Sequence, residues 1–365
     1  MFLIVTRNFP PDIGGIQTLM GGLSKCLLDH GPVEVFADAF KNSDSFDLNS
    51  QLKINRIKGI KLFKKYRKAN LINNFLKGNN NIRAIIFDHW KSLELINLNL
   101  LKKTKTFCLI HGKEINHNTD SLINKRIIKS LKKSDFVIAN SNFTKKLGIQ
   151  VGIQSGKINV ISPGIEKPED IDNNYITEAE NIYLDSFPKI ITVARLDKRK
   201  GHDKILMSIK NLKIKFPKIK YISVGSGDEE KKLKKLCSEL DIDNDVIFLK
   251  DISKNLKLAL IKNANLCLMP SRIEKKSVEG FGISFMEAAS YGVGSIGGKD
   301  GGASDAIIHN KTGLICDGND LNSIYESVLK FFDQENYLNF GKSSLDFSEN
   351  FYWNKIVKKY LKLIN

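Results

Sequence analysis

Short β-branched or aromatic runs alternate with helix-length amphipathic segments along the 365 residues, and the alternation comes in two sets. In the first half the runs are residues 2–7, 33–38, 84–88, 106–112, 136–141 and 158–164. In the second half they are 189–196, 220–227, 246–251, 265–271 and 313–317. Strands separated by helices return to their sheet in parallel, so this pattern predicts βαβ units. Two sets predict an α/β chain with two doubly wound domains, residues 1–168 and 189–345. The acidic, weakly patterned stretch 169–188 reads as the linker between them, and 346–365 as a terminal amphipathic helix.

Open parallel sheets place ligands beyond the carboxyl ends of their strands. Loops that follow strands are therefore candidates for a site, and loops that precede them are not. After the run 2–7 come Gly14 and Gly15, a glycine turn entering a helix, which suits close approach to phosphate or sugar but equally a plain tight turn. The pattern is not GxGxxG, so a nicotinamide site is poorly supported. His111 follows the strand 106–110 and could hydrogen-bond a sugar hydroxyl or serve as a structural histidine. Arg195 and Lys200 follow the strand 190–193, where fixed cations would stabilise charge on a departing diphosphate. Gly225 lies in a third strand-to-helix turn, and Gly301-Gly302 open a further helix.

The richest stretch is Ser277-Val278-Glu279-Gly280-Phe281-Gly282-Ile283-Ser284-Phe285-Met286-Glu287. It sets Glu279 in a glycine-rich turn and Glu287 on the helix that follows. Main-chain N–H groups at Phe281, Gly282 and Ile283 would face an anionic oxygen at the helix start. Two acceptor carboxylates beside a row of donors suit a ligand that is both polyhydroxylated and phosphorylated, namely a nucleotide sugar. By contrast, Asp241-Ile242-Asp243 and Asp243-Asn244-Asp245 resemble a metal-binding DxD but precede a strand, so they read as turn carboxylates.

With these pieces in order, the chain resembles a family 4 glycosyltransferase of the GT-B fold, nearest in look to the mannosyl-phosphoinositol mannosyltransferase-like branch. The resemblance implies two Rossmann-like domains facing a cleft, with the terminal helix, residues 346–365, crossing back onto the first. It implies retention at the anomeric carbon, no cofactor and no essential metal. Arg195 and Lys200 would bind the donor diphosphate, Glu287 the ribose, and Glu279 the donor sugar. The backbone of Phe281, Gly282 and Ile283, with Gly225, would complete the donor pocket, and His111, Gly14 and Gly15 would close the site from the first domain. The expected reaction moves a hexosyl group to a glycan, lipid-linked or polyol acceptor in cell-envelope or polysaccharide synthesis. The donor expected first is GDP-mannose, and a UDP-sugar second. The chain departs from the family pattern at Ala194, at Lys250 and at Gly294. A sugar-nucleotide epimerase and a non-catalytic basic binding protein are the alternatives. The first lacks a recognisable acid–base set, and the second lacks a nucleic-acid module.

Net charge is +17. Residues 1–170 carry 27 Lys+Arg against 14 Asp+Glu, so the first half is the basic one. The stretch from Lys53 to Lys77 has nine cations and no acid. In it Leu62, Tyr66, Ala69, Ile72 and Leu76 recur near helical spacing, which fits either an anionic membrane surface or a helix with an inward apolar stripe. No apolar run reaches the length of a transmembrane helix. The first residues read as a strand rather than a leader, and five scattered cysteines without a CxxC pair read as reduced thiols. A cytoplasmic enzyme, peripheral on the inner membrane surface, is the expectation.

Overall fold

The computed structural model describes residues 1–60 and 63–365; Lys61 and Leu62 of the basic stretch lie outside the described residues. The chain divides into two compact units, Met1–Glu166 with Phe351–Asn365, and Lys167–Asn350.

Unit 1 holds β1 (Phe2–Thr6), β2 (Val33–Asp38), β3 (Lys53–Ile57), β4 (Ala84–Phe87), β5 (Lys105–Ile110), β6 (Phe136–Ala139) and β7 (Ile158–Val160). They form one parallel sheet in the order β3-β2-β1-β4-β5-β6-β7. Successive side chains of a strand point to opposite faces, and both faces here are covered. Leu3, Val5, Ile85, Phe87, Cys108 and Ile110 enter one core. Phe2, Ile4, Ala84, Ile86, Phe107 and Leu109 enter the other.

Unit 2 holds β8 (Lys189–Val193), β9 (Lys220–Val224), β10 (Val246–Leu249), β11 (Leu266–Met269), β12 (Ser295–Gly298) and β13 (Gly313–Cys316). Their order is β10-β9-β8-β11-β12-β13, again all parallel. In each sheet the strand order reverses beside the first strand, at β1/β4 and at β8/β11. Ligand sites of open parallel sheets gather at that reversal.

The expected strands are present but shorter, because the polar residue after each run turns into the loop. Two strands have no counterpart in the sequence reading. β3 is an edge strand whose Lys53 is exposed, so it shows no apolar run. β12 is Ser-Ile-Gly-Gly, and a Cβ on Gly298 would stand 1.8 Å from the Ser271 carbonyl oxygen, so only glycine fits there.

The basic stretch is therefore not one helix. It splits into β3 and the helix Lys61–Gly78. Ala69, Ile72 and Leu76 of the stripe are buried inward, whereas Tyr66 is turned out. The stretch 169–188 also has more structure than a linker needs. Asp172 caps the helix Asn173–Tyr183 by accepting from the Asn174 N–H at 2.8 Å. Ala179 and Tyr183 of that helix are buried, and the Tyr183 hydroxyl donates to the Leu260 carbonyl at 3.1 Å, so the segment packs within unit 2.

The chain returns to unit 1 at Phe351 rather than at 346, because the helix Asn336–Ser348 belongs to unit 2. The terminal helix Trp353–Ile364 buries Trp353, Ile356, Val357, Tyr360 and Ile364, an i, i+3, i+4, i+7 stripe that joins Leu19, Leu23 and Leu27 of the helix Gly15–Leu28. Trp353 lies over bare backbone: a Cβ on Gly22 would be 2.2 Å from its ring, and one on Gly164 2.4 Å. Among the described residues no helix is long and apolar enough to cross a membrane. The five cysteines are free thiols.

Candidate active site

In unit 2 the carboxyl edge is built from the loops after β8, β9 and β11. The loop after β8 runs through Arg195 into a short 3-10 turn, Lys198–Lys200, and then through Gly201 into the helix His202–Leu212. Arg199 and Lys200 turn inward and are 8% and 9% exposed. Both reach the same atom. Lys200 Nζ lies 2.6 Å from Glu279 Oε2, and Arg199 Nη1 lies 2.5 Å from it.

Burial pushes the Glu279 carboxyl up, but the Lys200 ammonium and the Arg199 guanidinium outweigh it and hold the carboxyl at about 2. Lys200 is itself lowered, by burial against the pull of Glu279. Two buried cations thus share one oxygen of Glu279, Asp197 Oδ2 stands 3.7 Å from Arg199 Nη2 as a second, more distant carboxylate, and Arg199 Nε has no hydrogen-bond partner within the protein. Buried charge is costly unless paired, and here it is paired.

The frame around this cluster is rigid. Glu279 O accepts from Gly302 N–H at 2.8 Å, and a Cβ on Gly301 (φ +118°) would stand 2.5 Å from that same oxygen. Gly225 carries φ +147°, and a Cβ there would meet the Ala194 carbonyl oxygen at 2.0 Å, so the loops after β8 and β9 touch. Arg272 grips Asp203 with both guanidinium nitrogens, at 3.0 and 2.9 Å, while its N–H donates to the Arg199 carbonyl. His202 is almost fully buried. Its Nε2 faces the Arg195 carbonyl at 3.2 Å and so carries the proton. Burial holds this imidazole down to about 4.

Gly282, in the left-handed region at φ +94°, precedes the helix Ile283–Ser290, and no side chain caps that helix. Phe281 is buried, and Ile283 opens the first turn. Glu287, one turn further on, is partly exposed and pairs with Lys257 at 2.9 Å. The structure therefore brings Lys200 and Glu279 together and leaves Glu287 on a separate cation. Arg195 joins neither: its side chain is 72% exposed and only approaches Asp197, at 3.4 Å.

In unit 1 a buried carboxylate organises the edge. Asp88 follows β4 and accepts from the Thr6 hydroxyl at 2.9 Å, the Arg7 N–H at 2.7 Å and the Ser92 hydroxyl at 2.7 Å. His111 Nε2 lies 2.7 Å from the Asp88 carbonyl oxygen, so Nε2 carries the proton and Nδ1 is the accepting nitrogen. The His111 N–H donates to Glu114 Oε1 at 2.6 Å, and Trp90 Nε1 donates to the Glu114 carbonyl at 3.2 Å. The loops after β1, β4 and β5 are thus wired to one another. Gly14 and Gly15 enter the helix Gly15–Leu28, which has no side-chain cap; Asp12 in that loop accepts instead from Gln17, at 2.5 Å.

The sequence reading did not single out Arg199, His202 or Asp88. Asp88 carried a usable signal, since it directly follows a strand. The Asp243–Asp245 carboxylates sit before β10. Asp245 pairs with Lys213 at 2.7 Å, and Asp243 accepts from Ser238 at 2.8 Å. Among the described residues no three His, Cys, Asp or Glu side chains converge as a metal site would require.

Two family models cover these units: Glycosyltransferase Family 4 matches residues 13–167, and Glycosyl transferases group 1 matches residues 177–351. The chain belongs to the family 4 glycosyltransferases of the GT-B class, and it is a glycosyltransferase. It is 24% identical over 337 residues to the GDP-mannose-dependent alpha-(1-6)-phosphatidylinositol monomannoside mannosyltransferase of Mycolicibacterium smegmatis, a match covering 89% of this chain and 87% of the relative. It is 28% identical over 281 residues to the N-acetyl-alpha-D-glucosaminyl L-malate synthase of Bacillus anthracis, covering 71% and 67%. In fold it matches the HepE protein of Anabaena in complex with UDP, with a TM-score of 0.81 at 16% identity over 100% and 99% of the two chains.

Proposed function

We propose that this glycosyltransferase moves a hexosyl group from a nucleotide diphosphate sugar, with retention and without a cofactor or essential metal. The donor proposed first is GDP-mannose, with a UDP-sugar as the second choice. The acceptor proposed is a glycan, lipid-linked or polyol hydroxyl in cell-envelope or polysaccharide synthesis. The relative that spans most of the chain is named for GDP-mannose, which supports that order of donors.

One observation carries the reading: Lys200 and Arg199 are buried together on one oxygen of Glu279. As a glycosidic bond breaks, negative charge builds on the departing diphosphate. A cation already fixed in a dry site stabilises that charge without reorganising. Arg199 matters because it keeps Glu279 neutralised when Lys200 turns to the phosphate. Glu279 is then placed for the donor sugar, and Glu287, through exchange with Lys257, for the ribose. The uncapped helix start at Gly282 offers N–H groups to oxygen anions. On the acceptor side, His111 Nδ1 is available to a sugar hydroxyl, beside the Gly14-Gly15 turn.

We also place the enzyme peripherally on the cytoplasmic face of a membrane. Supporting this, Ile60, Phe63, Tyr66 and Leu71 are exposed beside the lysines of the helix Lys61–Gly78.

The test is a thermal-shift panel of GDP-mannose, UDP-glucose, UDP-galactose, UDP-N-acetylglucosamine and ADP-glucose, run on the parent and on Glu287→Ala. A ligand at about 100 times its Kd stabilises by roughly 2.7 kcal/mol. One nucleotide sugar should shift the parent and not the variant. No shift from any of the five would sink this choice of donors.

A further inference from the structure

The flank of unit 1 carries a groove that shares no residue with the site described above. It lies between the helices Leu122–Leu131 and Asn142–Gln150 and has a volume of about 510 Å³, within the range of small-molecule sites. One side is Lys125, Ile128, Lys129 and Lys132; the other is the end of the second helix, Gln150 and Val151.

The cations of the first helix and its following turn divide in two. Arg126 pairs with Glu94, and Lys133 donates to the Glu94 and Ile96 carbonyls. Lys125, Lys129 and Lys132 are exposed, and among the described residues none of them has a carboxylate partner. No acid stands in the helix, and among the described residues none lines the groove. Lys157 Nζ donates to the Lys132 carbonyl at 3.0 Å, which brings a fourth cation to that end.

Asn124 also lines the groove and is 4% exposed. Its Nδ2 donates to the Thr119 carbonyl at 3.1 Å and to the Val151 carbonyl at 3.0 Å, so it ties the loop before one helix to the end of the other. With both donors used, the atom left over is the acceptor Oδ1, and it is buried without a partner. A buried acceptor in that state is costly, and a ligand hydroxyl is the donor it lacks.

The three lysines recur at i, i+4 and i+7, on one helix face, over about 10 Å at 1.5 Å per residue. A free anion or a single sugar does not reach all three, whereas a chain does. Each ammonium is a compact point charge, and one per helical turn suits one single charge per ring, as a ring carboxylate supplies. The Asn124 and Gln150 amides suit hydroxyls. Among the described residues no aromatic ring and no arginine lines the groove, so the bases of a nucleic acid would find nothing to stack on.

We propose that this groove holds an acidic glycan, a chain of sugars bearing carboxylates, at a second site apart from the one where transfer occurs.

The experiment measures binding by calorimetry at low salt in three proteins: the parent, the triple variant Lys125→Gln/Lys129→Gln/Lys132→Gln, and Lys200→Ala. The probes are trigalacturonate, a hyaluronan tetrasaccharide, neutral galactotriose and hexaglutamate. At least one of the two acidic glycans should bind the parent, and galactotriose and hexaglutamate should bind at least about tenfold more weakly. Each exposed lysine removed should weaken the acidic glycan about threefold, so the triple variant loses about thirtyfold, while Lys200→Ala leaves it unchanged. Binding of neither acidic glycan would overturn the proposal. So would equal binding of hexaglutamate, because charge alone then explains the groove. Binding that survives in the triple variant would overturn it too, because the glycan then sits elsewhere. The three lysines are exposed, so an unchanged melting temperature and an unchanged nucleotide-sugar shift in the triple variant separate this result from misfolding and from failure of the donor reading.

Discussion

Both units bury cations at the carboxyl edge of a parallel sheet, but Lys68 and Arg56 of unit 1 each take a carboxylate of their own, whereas two buried cations of unit 2 share one. In unit 2, Arg199 and Lys200 are buried on a single carboxylate oxygen and fixed by a glycine-lined frame. In unit 1, Arg7, Lys65 and Lys91 are exposed, and Lys91 feels its like-charged neighbours. Buried cations act at full strength on one atom but commit the site to one ligand geometry. Exposed cations act weakly and adjust to different shapes.

The contrast can be broken by substitution. The largest expected effect is on catalysis: Lys200→Ala should lower turnover by roughly 10²–10³, the loss seen when a transition-state charge stabiliser is removed. Turnover within a few-fold of the parent, with donor and acceptor saturating, would show that the buried cluster is structural only. Second, Glu279→Gln strands two buried cations, and breaking a buried pair costs about 3–5 kcal/mol. The parallel change Glu94→Gln in unit 1 removes the partly buried partner of the exposed Arg126 and should cost about 1 kcal/mol or less. Urea unfolding of the two variants compares the units directly, and equal losses would erase the distinction.

A third prediction concerns pH. His202 in unit 2 is held down to about 4 and His89 in unit 1 to about 2, in both cases chiefly by burial. A lowered histidine means that the unfolded chain takes up the proton first, so stability falls as pH drops below about 6.5. Each histidine contributes a slope of up to about 1.4 kcal/mol per pH unit. The His202 contribution ends near pH 4, and that of His89 continues to about pH 2. Melting curves between pH 7 and 4 should flatten in His202→Gln; an unchanged slope would mean that this imidazole does not titrate on unfolding. The smallest effect is at Arg195. Its exposed, loosely paired side chain predicts that Arg195→Ala changes stability by no more than about 0.5 kcal/mol. Chemical denaturation measures this, and a loss of several kcal/mol would show a contact that the fold does not contain.

Much of this architecture was legible because many of the buried parallel strands carry a continuous apolar run, as in Phe2–Val5 or Ala84–Phe87. The two omitted strands fail that test for physical reasons. β3 has one exposed edge, and β12 gives up side chains to let the Ser271 backbone approach. Lys200 was legible as a candidate because it follows a strand, and Glu279 because it lies in a glycine-rich turn, but nothing in the sequence paired them. Arg199 was not legible, because it sits in a run of three cations. A 3-10 turn sends successive side chains in directions about 120° apart, and only the folded loop decides which turn inward. The helical spacing of Leu62, Tyr66, Ala69, Ile72 and Leu76 was likewise legible, but composition could not show that the basic run begins with a strand, β3, or that Tyr66 turns outward.

The terminal helix has a consequence for biosynthesis. Trp353 fills the space left bare by Gly22 and Gly164, yet it is translated after every residue of unit 2. Domains commonly fold in the order in which they leave the ribosome. Here the unit that starts first is finished last. While residues 167–350 are being made, Leu19, Leu23 and Leu27 wait without the apolar stripe that covers them in the finished protein. A nascent chain stalled before Phe351 would carry a sealed unit 2 and an open unit 1, a form that chaperones and proteases are equipped to recognise.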